Sequence, residues 1–417
     1  MIIKRTIFHV DVNSAFLSWS AVDKLLKDPN AVDLRTIPSA VSGDPKSRHG
    51  IILAKSVPAK KYRVVTGEPT AAALRKCPEL VLTAPDFQVY RRCSEAFIAI
   101  LKKYAPVVEQ VSVDEAFCDF TGTENLYGDL TAFAARLKNE IRDTLGFTVN
   151  VGISSNKLLA KMASDFEKPD KVHTLFPEEV PTKMWPLPIG ELFGVGESTA
   201  EALRALKIMT IGDAARADEQ VLCRRLGQKG GAYIHRAANG LDEGEVGQRT
   251  SHEQSYGNST TLAENITAAN ANERLRPVML ALADSVGSRM RRDGRKGRTV
   301  AVTVRTADFA NHARQKKLSD PTDMTDVIFE TAVGLVREIW DGRKPIRLLG
   351  ITVSSLDEED MHQMSLFETP ADEARREKMK KLDAMTDKIR KDFGRQAVTR
   401  GALMTDERLR RIGKKEE

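Results

Sequence analysis

Short apolar runs alternate with amphipathic segments over the first 170 residues of the chain. The runs TIFHVDV, GIILAKSV, VVEQVSV, AFCDF and FTVNVGIS are short and rich in β-branched and aromatic residues, which is typical of strands. Between them, YRRCSEAFIAILKKYA and DLTAFAARLKNEIRDTLG carry apolar residues at three- and four-residue spacing, which predicts helices. This mixture predicts an α/β or α+β core.

The pattern changes further along the chain. From about residue 171 to 245, helices with glycine turns replace the strand signal, as in GVGESTAEALRALKI and RRLGQKGGAYIHRAANG. The polar stretch LDEGEVGQRTSHEQS is typical of a linker. A helix around residues 264–292 and the alternating segments RTVAVTVRTADF and IRLLGITVSSL then predict a small separate α+β domain. The charged tail from residue 371 predicts a helix with one apolar stripe, formed by Leu382, Met385, Ile389 and Phe393.

Length and composition narrow the class of protein. A chain of 417 residues is too long for one ordinary core, so we expect two to four domains. Its 41% hydrophobic and 29% charged content is that of a soluble globular protein. The opening MIIKRTIFHVDV is short and contains Asp11, which argues against a signal peptide or a membrane span. The cysteines form no CxxC pair and the histidines no HExxH or HxxxH pair, which argues against structural zinc and disulfides and favours a cytoplasmic protein.

The net charge of +6 is concentrated in one stretch of the chain. Between residues 289 and 317, ten lysines and arginines stand against two aspartates, so the remainder is slightly acidic. A localised basic region is expected where a protein binds a phosphate backbone. The alternative is a solvated helix end and loop. The ten residues are Arg289, Arg291, Arg292, Arg295, Lys296, Arg298, Arg305, Arg314, Lys316 and Lys317.

Two adjacent acids, Asp114 and Glu115, interrupt the apolar stretch VSVDEAFCDF. Strand residues alternate faces, so adjacent carboxylates within one strand would point apart. A strand ending at Val113 and another starting at Ala116 would instead leave the two acids as a two-residue hairpin turn. Together with Asp11, at the end of the first strand, they could hold Mg²⁺, and two ions about 4 Å apart would serve a phosphoryl displacement. The alternative is a surface hairpin whose acids face solvent.

Four motifs follow one another in the chain: HVDVNSAF, VSVDEAFCDF, VGISSNKLLAKMASDFEKP and ELFGVGESTAEALRAL. In this order they resemble the Y-family lesion-bypass DNA polymerases, of the bacterial DNA polymerase IV type with polymerase V-like features. The resemblance covers about residues 5–355 and implies an α+β, multi-domain chain, with a right-hand polymerase core of palm, fingers and thumb plus a separate little-finger domain. The implied boundaries are 1–22 and 86–170 for the catalytic palm, 23–85 for the fingers, 171–243 for the thumb, 244–250 for a linker, 251–357 for the DNA-binding little finger, and 358–417 for a clamp-binding motif and a charged helical tail.

The resemblance implies roles for residues of the palm. Asp11, Asp114 and Glu115 match the catalytic carboxylates, and with the backbone carbonyl of Val12 they would bind two Mg²⁺ ions. Phe16 matches the aromatic steric gate, which lies against the sugar of the incoming nucleotide and favours deoxynucleotides. The alternative for Phe16 is an ordinary core phenylalanine.

The triphosphate-binding positions match the family only in part. Lys168 matches the family lysine that reaches the triphosphate. In the fingers, the positions of a family Thr, Tyr and Arg read Ala54, Val57 and Lys60. Lys60 can pair with phosphate as a point charge but lacks the bidentate fork of arginine, and the missing hydroxyls remove two hydrogen bonds. Polymerase V types also carry lysine there and share Asn13, where polymerase IV has a second acid.

Further segments imply contacts with DNA. Gly194 and Gly196 lie in a helix-hairpin-helix-like segment and permit a tight turn whose amides could hold a DNA phosphate, and GQKGG could form a second such hairpin. The basic run falls in the expected little finger, where the family grips the DNA backbone without reading its sequence. The residues implied there are Arg289, Arg291, Arg292, Arg295, Lys296 and Arg298.

The segment HQMSLFE matches the QxSLF pattern with which bacterial polymerases bind the sliding clamp. Leu366 and Phe367 would enter an apolar pocket while Gln363 would hydrogen-bond at its edge. The alternative is a small turn packed on the little finger. Polymerase IV usually ends near this motif, whereas about fifty residues follow it here.

Together these motifs imply a template-directed, low-fidelity translesion DNA polymerase that acts in DNA damage tolerance and repair. The primer 3′-hydroxyl would attack the α-phosphate of a deoxynucleoside triphosphate with two Mg²⁺ ions, and no stretch remains for a proofreading exonuclease. We expect a cytoplasmic monomer that uses primed DNA and a sliding clamp and has no membrane partner. A nucleotidyl cyclase would explain fewer of these motifs. The non-enzymatic alternative is a clamp-tethered DNA-binding protein with weakened or lost polymerase activity.

Overall fold

The chain forms two compact units, residues 1–250 and 251–417, and each is described by itself. The structure is a computed structural model, and both units combine helices with strands, which confirms the predicted α+β fold class. Among the helices it describes, none is long and apolar enough to cross a bilayer. The described residues are 5–44, 50–247, 253–357, 370–394, 397–404, 409 and 412.

Strands and helices alternate in the first part of each unit. The strands are β1 (Ile7–Val12), β2 (Ser39–Ser42), β3 (Ile52–Lys55), β4 (Val81–Thr83), β5 (Val107–Gln110), β6 (Glu115–Asp119), β7 (Val149–Ser154), β8 (Val172–Thr174), β9 (Ser255–Ile266), β10 (Lys296–Thr306), β11 (Asn311–Thr322) and β12 (Ile346–Asp357). The α-helices are α1 (Ala15–Lys27), α2 (Val57–Lys60), α3 (Thr70–Lys76), α4 (Phe87–Tyr104), α5 (Glu124–Tyr127), α6 (Leu130–Leu145), α7 (Lys157–Asp165), α8 (Glu197–Arg204), α9 (Ile211–Arg216), α10 (Glu219–Leu226), α11 (Gln228–Ala238), α12 (Ala271–Arg292), α13 (Thr325–Ile339) and α14 (Pro370–Phe393).

A five-stranded sheet in the order β5-β6-β1-β7-β8 forms the centre of the first unit. The period-two alternation of β1 divides its side chains between the two faces of this sheet. Phe8, Val10 and Val12 join the core formed with α4 and α6. On the other face, Ile7 and His9 lie against α7, where the His9 ring contacts the Ser164 hydroxyl at 2.8 Å. The functional acids are expected on this second face, because Asp11 continues the same alternation.

Helix α7 lies directly on strand β7 because Gly152 has no side chain. A Cβ at this position would lie 2.0 Å from the carbonyl oxygen of Ala160 and 2.4 Å from the backbone nitrogen of Ser164. The Asn156 side chain caps the helix by accepting a hydrogen bond of 2.9 Å from the amide of Leu159. The VGISSN segment therefore fixes both the start of α7 and its distance from the sheet.

A smaller three-stranded sheet in the order β3-β2-β4 carries the short helices α2 and α3. Strand β2 pairs antiparallel with β3 and parallel with β4. Its core includes Ile52, Ala59 and Leu80. The Ser56 hydroxyl caps α2 by accepting from the amide of Ala59 at 3.1 Å, which orients the residues that follow β3.

Residues 177–240 are largely helical, as the loss of strand signal predicts. Helices α8 to α11 follow short 3₁₀ and π turns at Pro177–Glu179, Val180–Met184 and Ile189–Glu191. The core of this region includes Leu203, Ile211 and Ile234, which come from three separate helices.

The second unit contains an antiparallel four-stranded sheet in the order β11-β10-β12-β9. Alternate residues of β10, Val300, Val302 and Val304, pack against the apolar faces of α12 and α13. Helix α12 begins at Ala271, later than the predicted residue 264, because β9 extends to Ile266. Outside that core, strand β11 forms an exposed edge of the sheet.

The tail forms the predicted helix, α14, and most of its apolar stripe is exposed. Leu382, Met385 and Phe393 are 46%, 62% and 78% exposed, whereas Asp383 is 2% exposed. The helix is held by charge: Asp387 accepts from Arg291 at 2.6 Å, and Arg390 donates to Asp284 of α12 at 2.7 Å. Paired charges thus replace apolar contacts in this interface. The predicted clamp-binding residues Gln363, Leu366 and Phe367 lie outside the described residues.

Candidate active site

Three acids meet at one end of the five-stranded sheet. Asp11 of β1 and Glu115 of β6 are directly opposite each other in the antiparallel register, so their side chains share one face. The amide of Val12 donates a hydrogen bond of 2.9 Å to the carbonyl oxygen of Asp114, which holds the neighbouring connection against β1. The structure therefore brings the three predicted carboxylates to one place.

The predicted two-residue turn at Asp114 and Glu115 is wrong in its position. Strand β5 ends at Gln110, and Glu115 is already the first residue of β6. The turn closes earlier because the carbonyl oxygen of Glu115 accepts from the amides of Val111 and Ser112. The Ser112 hydroxyl also accepts from the amides of Asp114 and Glu115, at 3.2 and 3.1 Å. Of the two acids, Asp114 lies in the turn and Glu115 lies in the strand. The strand backbone therefore sets the direction of the Glu115 side chain.

Glu115 lies between two nitrogen groups that sequence reasoning missed. Its Oε2 is 3.3 Å from Nε2 of buried His9 and 3.0 Å from Nζ of Lys161 on α7. The hydrogen bond from His9 and the ammonium of Lys161 lower the pKa of Glu115 to about 2 although burial opposes the shift. Burial in turn lowers the pKa of His9. The strand alternation would have indicated His9, two residues before Asp11 and on the same face.

Asp114 experiences the opposite electrostatic environment. Burial raises its pKa, and the negative charges of Asp11 and Glu115 raise it further, against a hydrogen bond of 2.6 Å from the Ser112 hydroxyl. An anionic Asp114 therefore carries uncompensated charge, which a bound cation would relieve.

Lys168 forms an ion pair with Asp11 and a second one of 2.8 Å with Asp165. Burial alone would lower the pKa of Lys168, but these carboxylates raise it. Its loop is fixed by an asparagine pair that sequence reasoning also missed. Asn13 accepts from the amide of Asp170 at 2.9 Å and donates to Asn150 at 3.1 Å. The predicted triphosphate lysine is thus positioned beside a predicted catalytic acid.

No group of three or more His, Cys, Asp or Glu side chains in the described part of the chain is arranged to hold a metal ion. Asp11 and Glu115 are instead neutralised by Lys168 and Lys161. The side chains of Asp11, Asp114 and Glu115 still fit a hard cation, because their ligand atoms are carboxylate oxygens. A cation would also offset the burial and like charge that disfavour the ionised form of Asp114.

A cavity of about 580 Å³ separates the five-stranded sheet from the three-stranded sheet. Asp11, Asp114 and Lys168 line it on one side, and the predicted phosphate-binding position Lys60 lines it on the other. Ala54 and Val57, which stand where the family has a Thr and a Tyr, line the same cavity. Val12 lines it as well. This arrangement places an acidic wall and a basic wall around one volume of nucleotide size.

Phe16 borders the cavity and also packs against the core. Its ring stacks on Tyr90 with centroids 4.5 Å apart and an angle of 11° between the planes, and it meets the edge of Phe87 at 6.2 Å. The ring is half-buried. Phe16 both borders the cavity and packs on the core, so its role as a steric gate stays a prediction beside the alternative of a core residue.

The predicted glycine turn of the helical region has a defined shape. Gly194 has φ +85°, and a Cβ there would lie 2.8 Å from the hydroxyl oxygen of Tyr233. That hydroxyl donates to the carbonyl of Phe193 at 2.8 Å, which fixes the turn before Gly196 at the N-terminus of α8. The GQKGG segment forms the junction of α10 and α11 around Gly227, which has φ +81°.

The basic run is divided between inward and outward positions. Arg291 is only 12% exposed and pairs with Asp387 at 2.6 Å and Asp383 at 3.2 Å, so its prediction as a DNA contact is corrected. Partners in the tail, more than ninety residues later, occupy its guanidinium. Arg292 pairs with the adjacent Asp293 at 3.0 Å.

The other basic residues lie near the surface of the second unit. Arg289 donates to the carbonyl of Gly257 at 2.7 Å, and Arg298 donates to that of Ser319 at 2.7 Å. Arg295 and Lys296, at the start of β10, are half-buried. Besides Arg292 of α12, the exposed cations of this region include Arg314, Lys316 and Lys317 of β11. An extended strand face thus carries more accessible charge than the end of α12.

Family models match three parts of the chain. The impB/mucB/samB family matches residues 10–165, its C-terminal domain matches residues 253–366, and the IMS family HHH motif matches residues 177–208. The three acids and the cavity residues Lys55 and Lys60 lie within the first match, whereas Lys168 follows its end. The last match includes the turn at Gly194.

Curated relatives and a solved structure extend this similarity over the length of the chain. It is 42% identical to DNA polymerase IV of Clostridium acetobutylicum, over 97% of this chain and 99% of that protein. It is 37% identical to DNA polymerase IV of Acetivibrio thermocellus, over 98% and 100%. A solved Y-family DNA polymerase chimera matches with a TM-score of 0.71 and 22% identity, over 85% of this chain and 100% of that one, which shows a likeness of fold.

Proposed function

Because the chain belongs to the Y family of DNA polymerases and is a DNA-directed DNA polymerase, we propose that it extends primers past damaged template bases with low fidelity. Its substrates would be primed DNA and deoxynucleoside triphosphates. The observation that carries the proposal is that Asp11, which lies opposite Glu115 in the sheet, and Asp114 form one wall of a cavity whose other wall carries Lys60.

The acidic wall suits the metal-dependent part of the reaction. Asp11, Asp114 and Glu115 would hold two Mg²⁺ ions, together with the backbone carbonyl of Val12. When bound, these ions would supply the charge that activates the primer 3′-hydroxyl and stabilises the departing pyrophosphate. Glu115 is kept ionised for this task by His9 and Lys161, which lower its pKa to about 2.

The cations around the cavity suit the triphosphate. Lys168 is held at the acidic wall by Asp11, and in the reaction it would turn to the polyphosphate once Asp11 binds a metal. Because an ammonium is a point charge on a flexible stem, this exchange requires no change in the backbone. Lys60 would bind phosphate oxygens from the opposite wall. Phe16 would exclude a ribose 2′-hydroxyl with the edge of its stacked ring.

Contacts outside the cavity complete the proposed function. The turn at Gly194 and Gly196 and the basic residues Arg289, Arg292, Arg295, Lys296 and Arg298 would position the DNA backbone without reading its sequence. Gln363, Leu366 and Phe367 would bind a sliding clamp, on the strength of the sequence pattern. Low fidelity is what the resemblance to the Y family implies, and we expect a cytoplasmic monomer.

Primer extension with Mg²⁺ tests this proposal directly. The wild-type chain should add deoxynucleotides to a primed template, including one with an abasic site or a damaged base, and should not degrade a mismatched primer end. Deletion of residues 363–367 should abolish stimulation by the clamp and leave unassisted extension intact.

The result that would contradict the proposal is a wild-type chain that binds primed DNA but adds no nucleotide. That outcome would support the alternative of a clamp-tethered DNA-binding protein. The replacement of the family hydroxyls by Ala54 and Val57 is the observation that keeps this alternative in view. Degradation of the mismatched primer would contradict the low-fidelity part alone.

A further inference from the structure

Lys55 is a second lysine on the basic wall of the cavity, and the family motif assigns it no role. It is the last residue of β3, directly after Ala54 and shortly before Lys60 at the end of α2. Lys55 lines the cavity together with its neighbours Ala54 and Val57 and with Lys60. Lys55 is half-buried, so its side chain lies at the cavity surface and not in open solvent.

The electrostatic environment of Lys55 disfavours its positive charge. Burial lowers its pKa and the positive charge of Lys60 lowers it further, against the weaker influence of Glu68. Within the described parts of the chain, no hydrogen bond or ion pair is found for the ammonium of Lys55 or of Lys60. Two like charges on one cavity wall oppose each other until an anion enters.

A neighbouring lysine shows how this sheet satisfies a structural cation. Lys76 donates to Glu68 at 2.6 Å and to the carbonyl of Arg63 at 2.9 Å, which uses its charge within the fold. Among the residues that the structure describes, Lys55 has no such partner although it lies on the same small sheet. Its ammonium is therefore available for a ligand in the cavity.

We propose that Lys55 and Lys60 together bind the triphosphate of the incoming nucleotide. Lys55 supplies a charge-assisted hydrogen bond in place of those that the family Tyr and Arg would donate from the positions of Val57 and Lys60. This inference rests on the proposed polymerase function of the cavity. A polyphosphate offers several anionic oxygens, so two separated ammonium groups can replace one bidentate guanidinium. The pair is suited to the charged tail of the nucleotide and not to its base.

The test compares Lys55→Gln, Lys55→Arg and the control Lys61→Gln in the full chain. Lys61 is an exposed neighbour outside the cavity lining. With Mg²⁺ and primed DNA, Lys55→Gln should raise the KM for a deoxynucleoside triphosphate by about tenfold or more, which corresponds to one charge-assisted hydrogen bond. The kcat should change by less than about threefold, since Lys55 belongs to the small sheet and not to the group of reacting acids. Lys55→Arg should restore most of the affinity, and Lys61→Gln should match the wild type.

Equilibrium binding provides a readout that does not depend on turnover. With a primer that ends in a dideoxynucleotide, Lys55→Gln should weaken binding of the triphosphate by a similar factor and leave binding of the nucleoside monophosphate unchanged. An unchanged KM and an unchanged triphosphate affinity in Lys55→Gln, with an active wild type, would overturn the role of Lys55 and leave the polymerase function intact. A wild-type chain that neither extends the primer nor binds the triphosphate would overturn both.

Discussion

The two units each contain a cluster of ionised side chains, and the clusters differ in the type of cation and in exposure. At the acids of the first unit the cations are lysines: Lys161 pairs with Glu115, and Lys168, 31% exposed, pairs with Asp11. In the second unit the cations are arginines, and the side chain of Asp383 at their centre is 3% exposed. The first cluster is open to the cavity, whereas the second is closed.

The closed cluster joins the C-terminal segment to the helices of the second unit. Arg400 contacts Asp383 at 2.5 Å and Asp284 at 3.2 Å, and Arg390 contacts Asp284 at 2.7 Å. Arg291 adds contacts with Asp383 and with the hydroxyl of Thr325 at 3.3 Å. Several donors per guanidinium satisfy several carboxylate oxygens, which is what a buried charge requires.

The difference shows what each cluster is suited to do. A lysine can leave its carboxylate without disturbing the fold, so Asp11 and Glu115 can exchange ammonium for another cation. The arginines of the second unit share their carboxylates with one another, and removal of one partner leaves a buried charge unpaired. We infer that the first cluster serves exchange of ligands and that the second fixes the tail.

The largest expected effect is on nucleotide addition. Asp114→Asn and Glu115→Gln should each lower the rate of single-nucleotide incorporation by roughly a thousandfold, because each removes charge stabilisation at the reacting centre. Rapid-quench measurement of one incorporation event would determine the rate. Asp119→Asn, at the other end of β6, is the matched control and should retain the wild-type rate. Wild-type rates in both acid variants would show that the carboxylates are only a surface feature.

The next effect is on stability of the second unit. Asp383→Asn should lower its free energy of unfolding by roughly 3 kcal/mol, because the guanidinium groups of Arg291 and Arg400 lose a buried partner. Denaturant unfolding of the full chain, followed by hydrogen exchange in α12 to α14, would measure it. Asp23→Asn, which removes a partner of the 70% exposed Lys27, should cost less than about 1 kcal/mol. Equal losses in the two variants would contradict a special role for the closed cluster.

The stabilising contribution of Glu115 should depend on pH with a defined sign. Its pKa falls from 4.5 to about 2 on folding, so ionised Glu115 stabilises the chain above pH 4.5 and this contribution disappears as the pH falls towards 2. In the presence of a chelator, the stability difference between wild type and Glu115→Gln should be on the order of 2 kcal/mol at neutral pH and should shrink below pH 4.5. Chemical unfolding at a series of pH values would measure it, and a difference that grows on acidification would have the wrong sign.

The smallest expected effect is on sugar discrimination. Phe16→Ala should increase the ratio of ribonucleotide to deoxynucleotide incorporation by about tenfold or more, because a ring at the cavity wall is removed. Competition between the two nucleotides in primer extension would measure the ratio. Phe87→Ala removes a ring that touches Phe16 but leaves the gate in place, so it should change the ratio less. An unchanged ratio in Phe16→Ala would leave Phe16 as a core residue.

Local patterns predicted the first cluster better than the second. The acids follow from short motifs, and alternation along β1 places His9 and Asp11 on one face. The register that sets Asp11 opposite Glu115, and the turn that Ser112 closes, depend on pairing between distant strands and on a side-chain cap. Neither is encoded in the hydrophobic pattern.

The second cluster could not be predicted from amphipathic spacing. That spacing assumes that a helix packs through its apolar side, whereas α14 buries Asp383 and leaves Met385 exposed. The basic run assigned Arg291 to DNA for a different reason: the carboxylates that pair with it lie far along the chain and do not appear in a local count of charge. Pairs of buried opposite charges become visible only when the helices are placed together.

Asp114 and Asp383 allow the two clusters to be compared in one experiment. The incorporation rate and the melting temperature would be measured on the same preparations of Asp114→Asn and Asp383→Asn, without metal for the melting curve. Burial and like charge raise the pKa of Asp114, so its neutral variant should lose the rate and melt no lower than the wild type. Asp383→Asn should melt lower and keep the wild-type rate per folded molecule. The opposite pattern, in which Asp114→Asn melts lower but still adds nucleotides at the wild-type rate, would contradict the account. In that account the acids of the first unit exchange cations for the reaction, and the arginine cluster of the second unit holds the tail in place.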